Sequence, residues 1–375
     1  MDLTWTAEEG AFRAEARAWL EANVAHGLPS GDTAEGFALH RQWERKLFDA
    51  GWAVVSWPRE YGGREATLFE WLLFEEEYYR AGGPQRITQN GIFLLAPTLF
   101  EFGTDEQKDR ILPRMAAAQD LWCQGWSEPE AGSDLAGIKS VAVRDEAGRG
   151  WRLTGQKTWT TRGAFCTHLF GLFRSDPAAE RHRGLTYFLV PLSAEGVAVR
   201  GFGRLDGDEG FAEVFLEDVF VADSDVLGGV DRGWEVAMAT ASSERGLTLR
   251  SPGRFRATAA RLVELWNTRP DPSLREDVVR GWMDAEAYQL QTLQTVTRLA
   301  GGQRAGPEAS LTKLFWSELD VRLHETALRL LGPEAELEGP WSKGFQFALA
   351  GPIYAGTNEI QRNVVAERLL GLPRR

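Results

Sequence analysis

Three stretches hold the residues best suited to chemistry. The first is QGWSEPEAGSDLAGIKS, Gln124 to Ser140. Its Gly and Pro residues force an irregular backbone, which exposes N–H and C=O groups to a ligand. Ser127 and Ser133 add hydroxyls. The second is GQKTWTTRG, Gly155 to Gly163, where Trp159 stands among Thr158, Thr160 and Thr161. A flat aromatic beside several hydroxyls suits a conjugated heterocycle with polar ring edges. Each piece also has a plainer reading, as a core tryptophan and ordinary strand threonines.

The third stretch is IYAGTNEIQRNVVAERLLGLPR, Ile353 to Arg374. Termini are usually loosely held, yet this one is densely patterned. Thr357 and Asn358 suit a helix N-cap. Ile360, Val364, Ala366 and Leu369 then form an apolar side, while Glu359, Gln361 and Arg362 stay polar.

Composition narrows the function classes. The chain has 375 residues, 43% hydrophobic and 26% charged, with a net charge of −12. That is ordinary globular composition. The acidic balance argues against nucleic acid, which leaves a basic footprint on its binders. Two cysteines, Cys123 and Cys166, make neither a disulfide framework nor a zinc spacing. Five histidines without a HExxH-like arrangement give no support for a metal. No apolar run of about 18 residues is present to span a bilayer. The acidic, amphipathic N-terminus lacks the features of a signal peptide. A cytoplasmic protein is the expectation.

The elements that must position these stretches follow an α, β, α plan. TAEE, Thr6 to Glu9, is a capping box, and apolar residues at helical spacing follow it. Helical patterns recur in 37–50, in LFEWLLFEEEYYRAG and in QNGIFLLAPTLFEFG. The period then changes. Short β-rich runs at 138–145, 151–154, 168–174, 186–192, 197–202 and 212–221 predict an antiparallel barrel or sandwich. Helical patterns return near Asp231, broken at RPDPS and GGQRAGPE. The expected class is α+β in three units. These are a helical N-terminal domain (1–120), a middle β-domain (121–230) and a C-terminal helical bundle (231–375).

SEPEAGSDLAGIKS, GQKTWTT and YAGTNEIQRNVVAERLLGLPR, in this order and spacing, resemble the signature segments of the acyl-CoA dehydrogenase family. The resemblance covers essentially the whole chain, including the WPREYGG loop at Trp57 to Gly63. It implies FAD as cofactor and an acyl-CoA as substrate. By resemblance Gln124, Trp126 and Ser127 meet the pyrimidine side of the flavin. Trp159 lies against its face, and the Thr161 hydroxyl bonds near N5. Gly356, Thr357 and Glu359 match contacts to the adenosine side, and Gly332 matches a contact to a neighbouring subunit's FAD. Pro333 departs from the pattern there, where a second Gly is common. Ser133, Arg245 and Tyr354 match substrate-side positions.

The family's reaction needs a carboxylate that removes the α-proton while the β-hydrogen leaves as hydride. In many members this is a Glu in a Tyr-Glu-Gly-Thr turn. Here the turn reads Tyr354-Ala355-Gly356-Thr357, and alanine has no acid–base chemistry. Other members, including those acting on branched, long-chain or steroid-like acyl groups, carry the Glu on an earlier helix, just before an Arg. WEVAMATASSERG supplies Glu244 and Arg245 at that place. Trp234, Ala237, Met238, Ala241 and Arg245 form one helical stripe, with Glu244 at its edge. A carboxylate there is costly without a partner or a role. Glu244 is thus the expected base for FAD-dependent α,β-dehydrogenation to a trans-2-enoyl-CoA. An electron-transferring flavoprotein or similar carrier is the expected acceptor, and a homodimer or homotetramer the expected assembly, with a hetero-oligomer possible. The alternatives are a flavin monooxygenase or oxidase on the same fold, and a non-catalytic subunit that completes a partner's FAD site.

Overall fold

The structure, a computed structural model, describes residues 4–245, 251–303 and 306–373; the side chains of residues 243–245 are outside that set. The first helices are α1 Ala7–Asn23, α2 Ala34–Asp49, α3 Leu68–Arg80, α4 Ala96–Phe102 and α5 Asp105–Ala116. The strands are β1 Trp122–Gly125, β2 Val141–Arg144, β3 Gly150–Thr161, β4 His168–Arg174, β5 Leu185–Pro191, β6 Val197–Phe202, β7 Phe211–Ala222 and β8 Val226–Leu227. Then come α6 Gly233–Arg245, α7 Pro252–Thr268, α8 Arg275–Ala300, α9 Ala309–Leu331, α10 Pro340–Ala348 and α11 Asn358–Val364. The α, β, α plan is therefore present. The expected capping box is formed, with the Thr6 hydroxyl accepting from Glu9 N at 3.1 Å and the Glu9 carboxylate accepting from Thr6 N at 2.8 Å.

Chain contacts divide the molecule into two compact units. One unit comprises Gly27–Glu65 and Gln85–Glu244, and so holds α2, α4, α5, every strand and α6. Its sheet runs β6-β7-β3-β2-β4-β5-β8, with β1 beside β4. The strand ladders are mostly antiparallel, as expected, but β1 pairs with β4 in parallel, Trp122 opposite His168. Parallel pairs need a long connection between them, and β2 and β3 provide it. Trp151, Leu153, Leu169, Phe173, Phe188 and Val214 are among the buried side chains that fill the sheet's core.

Two further local differences bear on the site. GQKTWTTRG is strand through Thr161, the second half of β3, with register shifts against β7 at Leu153/Gly155 and Lys157/Thr160. QNGIFLLAPTLFEFG is not one α-helix. A π-type turn at Asn90–Leu95 precedes α4. Pro97 has no N–H to offer residue 93, so the α ladder cannot run through this point.

The other unit comprises Met1–His26, Ala66–Pro84 and Arg245–Arg375. Phe255, Leu262, Tyr288, Trp316, Leu319 and Leu323 centre its core. Glu77 on α3 is fully buried and accepts from Arg13 at 2.6 Å, Arg17 at 2.8 Å and Arg80 at 2.7 Å. Burial acts to raise its carboxyl pKa; bonds from Arg17, Arg13 and Arg80 outweigh that and hold it at about 2. No helix among the described residues is long and apolar enough to cross a membrane.

Candidate functional site

Trp159 is the most unusual residue of the sheet. Its φ is +57°, a genuine outlier for a bulky side chain. The position falls at the β3 bulge, where an extra residue turns a side chain away from the regular alternation. The indole is 60% exposed. Phe202 and Phe211 meet it edge-on, with centroids at 5.3 and 5.6 Å and interplanar angles of 78° and 87°. Such contacts fix the ring's orientation while leaving much of it open. Backbone strain of this kind costs about 1–3 kcal/mol and persists where the surroundings over-determine it.

A buried ion pair does that here. Lys157, fully buried, donates to the Glu128 carboxylate at 2.7 Å and to the Leu172 carbonyl at 2.7 Å. Glu128 also accepts from the backbone N–H groups of Lys139 at 2.6 Å and Ser140 at 3.1 Å. Thr158 N donates to Ser127 O at 2.9 Å. The irregular loop is thereby tied to β3 through the Ser127 carbonyl and through the buried Glu128 carboxylate. Burial drives the Lys157 ammonium down to about 8, against the opposing pull of Glu128. For Glu128, burial acts upward, and the Lys157 charge and the bonds it accepts hold it below its ordinary value.

The expected loop residues flank this staple. Gln124 is half-buried on β1, and the following Gly125 has no room for a Cβ, which would lie 2.5 Å from Leu169. Trp126 is buried, with its Nε1 lacking a hydrogen-bond partner and its ring edge-on to Tyr187 at 6.4 Å and 84°. An orphaned buried donor is a place for a ligand acceptor. Ser127 and Thr161 are half-buried and Ser133 is exposed. Gln124, Trp126, Ser127, Trp159 and Thr161 thus share one unit. Their stacking face, hydroxyls and free indole N–H fit a flat heterocycle with polar edges.

On α6 the buried face is Val236, Ala237, Thr240 and Ala241, with Trp234 and Met238 half-buried. The expected stripe contained Ala237 and Ala241 but not Val236 or Thr240. Glu244 and Arg245 stand in the last turn of α6; their side chains lie outside the described residues.

The C-terminal turn lies in the other unit. The Tyr354 ring packs on Trp316 at 5.8 Å and 30°. Ala355 has φ +57° and Gly356 φ +77°. The Gln361 amide, buried, donates to the carbonyls of Ala355 at 2.9 Å and Gly356 at 3.3 Å. Thr357 caps α11 by accepting from Ile360 N at 3.2 Å, and Glu359 is exposed. Asn358 anchors the turn, accepting from Lys313 Nζ at 2.7 Å and Ser317 Oγ at 3.1 Å. Gly332 sits apart from this turn, where α9 ends, at φ +58° and ψ −130°. Backbone of that kind is open to glycine almost alone. Pro333 continues into a short 3₁₀ turn, Gly332–Glu336.

Sequence reasoning missed Glu128, Lys157, Tyr187 and Thr240. Lys157 and Glu128 carry a faint signal, a lysine inside a β-rich run and a glutamate in a glycine-rich loop. For Tyr187 and Thr240 no local signal exists, because their partners are distant in sequence.

Comparison with known proteins fits this geometry. The N-terminal, middle and C-terminal domain models of the acyl-CoA dehydrogenase family match residues 6–119, 123–219 and 231–370. Acyl-CoA dehydrogenase IpdE1 of Mycobacterium tuberculosis is 39% identical over 97% of this chain and 97% of its own length. Acyl-CoA dehydrogenase FadE26 of the same organism is 30% identical over 100% of this chain and 99% of its own. Among solved structures, the Tcur3481-Tcur3483 steroid ACAD superposes with a TM-score of 0.88 at 27% identity, covering 100% of both chains. The ChsE4-ChsE5 complex from Mycobacterium tuberculosis gives 0.85 at 27% identity, again over 100% of both. The chain belongs to the acyl-CoA dehydrogenase family of flavoprotein oxidoreductases.

Proposed function

We propose that the chain is an FAD-dependent dehydrogenase that converts a bulky acyl-CoA to its trans-2-enoyl-CoA, with Glu244 as the base. The observation that carries this reading is Trp159, an exposed indole held at φ +57° in the same unit as the orphaned Trp126 N–H. Such a surface is costly to keep and suits one flat, polar-edged ligand. Bound FAD supplies a hydride acceptor at its N5. Gln124, Trp126, Ser127, Trp159 and Thr161 would hold its ring system. Gly356, Thr357 and Glu359 would meet its adenosine side, with Gly332 serving a neighbouring subunit's cofactor.

The chain's own chemical task is to take the α-proton. Ala355 offers no acid–base group in the C-terminal turn. Glu244 would accept the proton on its carboxylate, and exclusion of water by bound substrate would strengthen such a base. Ser133, Arg245 and Tyr354 would contact the substrate. The bulky acyl group is supported by the solved relative named a steroid ACAD. The working division of the chain is 1–120, 121–230 and 231–375, with electrons passing to an electron-transferring flavoprotein or a similar carrier.

Two solved relatives carry two-component names, Tcur3481-Tcur3483 and ChsE4-ChsE5. They favour a second reading of the assembly, in which a different chain completes the FAD site. One experiment addresses both points. The protein is purified alone, its FAD content measured, and an anaerobic panel of straight, branched and polycyclic acyl-CoAs added while flavin absorbance is followed. A yellow protein bleached fastest by bulky members supports the first reading. A colourless protein that gains flavin only with a second chain supports the second. A yellow protein bleached by no member contradicts the dehydrogenase reading.

A further inference from the structure

Helix α6 is held by a chain of buried hydroxyls. Thr240 is fully buried and stands one helical turn before Glu244. Its Oγ1 lies 2.8 Å from Thr98 Oγ1 and 3.4 Å from the Tyr187 hydroxyl. Thr98, on α4, also donates to the Leu94 carbonyl at 2.9 Å, within the π-type turn. Tyr187 is fully buried on β5, stacked on Phe170 at 6.0 Å and 4° and edge-on to Trp126. One orientation satisfies all three hydroxyls. Tyr187 donates to Thr240, Thr240 to Thr98, and Thr98 to Leu94 O, with the Val236 carbonyl, 3.0 Å away one turn earlier in α6, as a competing acceptor for the Thr240 hydroxyl. All of these residues belong to the sheet-containing unit.

The arrangement is unusual for a helix-packing face. A buried hydroxyl gains little net stability when satisfied and is destabilising when orphaned. Val at 240 would fill the same volume with no such risk. What the hydroxyls add is direction. Apolar contacts let a helix slide or rotate by fractions of an ångström, while a hydrogen-bonded chain fixes both register and rotation. The chain links α6 to Tyr187, and Tyr187 abuts Trp126 in the proposed flavin segment.

We propose that Thr240, with Thr98 and Tyr187, is a positioning residue for the base, setting the height and rotation of Glu244's helix relative to the Trp126 loop. The proposal rests on the reading of Glu244 as the base. It deepens that reading by naming what sets the helix that carries Glu244. Misplacement of a reacting group by about 1 Å can cost about 10²-fold in rate. Thr240 therefore acts on the reductive step through geometry, without touching substrate or cofactor.

The test uses the FAD-loaded protein and the acyl-CoA that bleaches wild-type flavin fastest, in anaerobic stopped flow. Thr240→Val is expected to slow the limiting reduction rate by about 10- to 100-fold. Half-saturation and FAD content should change less than about two-fold, since uniform binding is not what is lost. Thr240→Ser restores the hydroxyl and should recover most of the rate. Tyr187→Phe deletes the longest link and should slow reduction by a smaller factor. It also serves as the test if Thr240→Val does not fold. A wild-type reduction rate in Thr240→Val overturns the proposal. So does a Thr240→Ser protein as slow as Thr240→Val, or, where only Tyr187→Phe folds, a wild-type rate in that variant. Glu244→Gln runs alongside. If it reduces at the wild-type rate, the base reading itself falls. If it is inactive while Thr240→Val is unimpaired, only the positioning role falls.

Discussion

Trp159 and Ala355 share one backbone φ and little else. Each has φ +57°, where a Cβ crowds the backbone. At Trp159 the side chain is a large, exposed indole braced by two phenylalanines, and the bulge beneath it is clamped by the buried Lys157–Glu128 pair. At Ala355 the side chain is a methyl group, and the turn is held by side-chain amides, Gln361 on its carbonyls and Asn358, which itself accepts from the buried Lys313 ammonium. The first site uses strain to present a surface. The second uses a positive φ to shape a turn that offers no acid–base group at position 355. The lesson is that an unusual φ marks a position the fold specifies, and the side chain decides what the position is for.

The comparison can be broken at its charged support. Lys157→Met leaves the Glu128 carboxylate buried without its cation, and breaking such a pair costs about 3–5 kcal/mol. Chemical denaturation should show that loss, together with weakened FAD retention. If stability holds and FAD retention is unchanged, the clamp has no part in presenting Trp159.

Charge-built support also occurs in the unit that holds the Ala355 turn, at Glu77, and pH separates it from the amides. The Glu77 carboxyl is held at about 2, well below its ordinary value of 4.5. Its folded pKa is depressed, so the unfolded chain binds the proton more readily. The stabilisation is full above about pH 4.5 and is lost as pH falls towards 2, on the order of 3 kcal/mol in total. Glu77→Gln should lower stability at pH 7 and flatten the acid slope. An unchanged slope would show that the three arginines contribute nothing specific.

Trp159→Ala should leave fold stability nearly unchanged, because the ring is largely exposed, while weakening FAD binding about ten-fold, the scale of one lost aromatic face contact. Ultrafiltration of free FAD reads this directly. The smallest effect is expected at Ala355. Ala355→Gly relieves the left-handed strain, offset by added freedom of the unfolded chain, for a net gain of about 0.5–1 kcal/mol. A loss of stability there would show that the alanine methyl packs usefully in the turn.

Much of this was legible in the residues. The TAEE cap, the α, β, α plan and the C-terminal N-cap at Thr357 depend on neighbours within a few positions, and the structure contains them. Trp159 among its threonines was visible as a candidate surface, and Ala355 as a missing acid. Features made by distant partners were not visible. The parallel β1–β4 pair joins Trp122 to His168. Thr240 looks like any helical threonine until Thr98 and Tyr187 are beside it. The bulge at Trp159 depends on register against β7, which no local pattern sets.

The proposed reaction needs its proton-accepting carboxylate to belong to Glu244 and not to the C-terminal turn. The most direct measurement is anaerobic flavin bleaching in Glu244→Gln against wild type, with the same acyl-CoA. A yellow protein of wild-type FAD content, whose flavin stays oxidised when substrate is added, is the expected result. Bleaching at the wild-type rate would contradict it and place the base elsewhere in the chain.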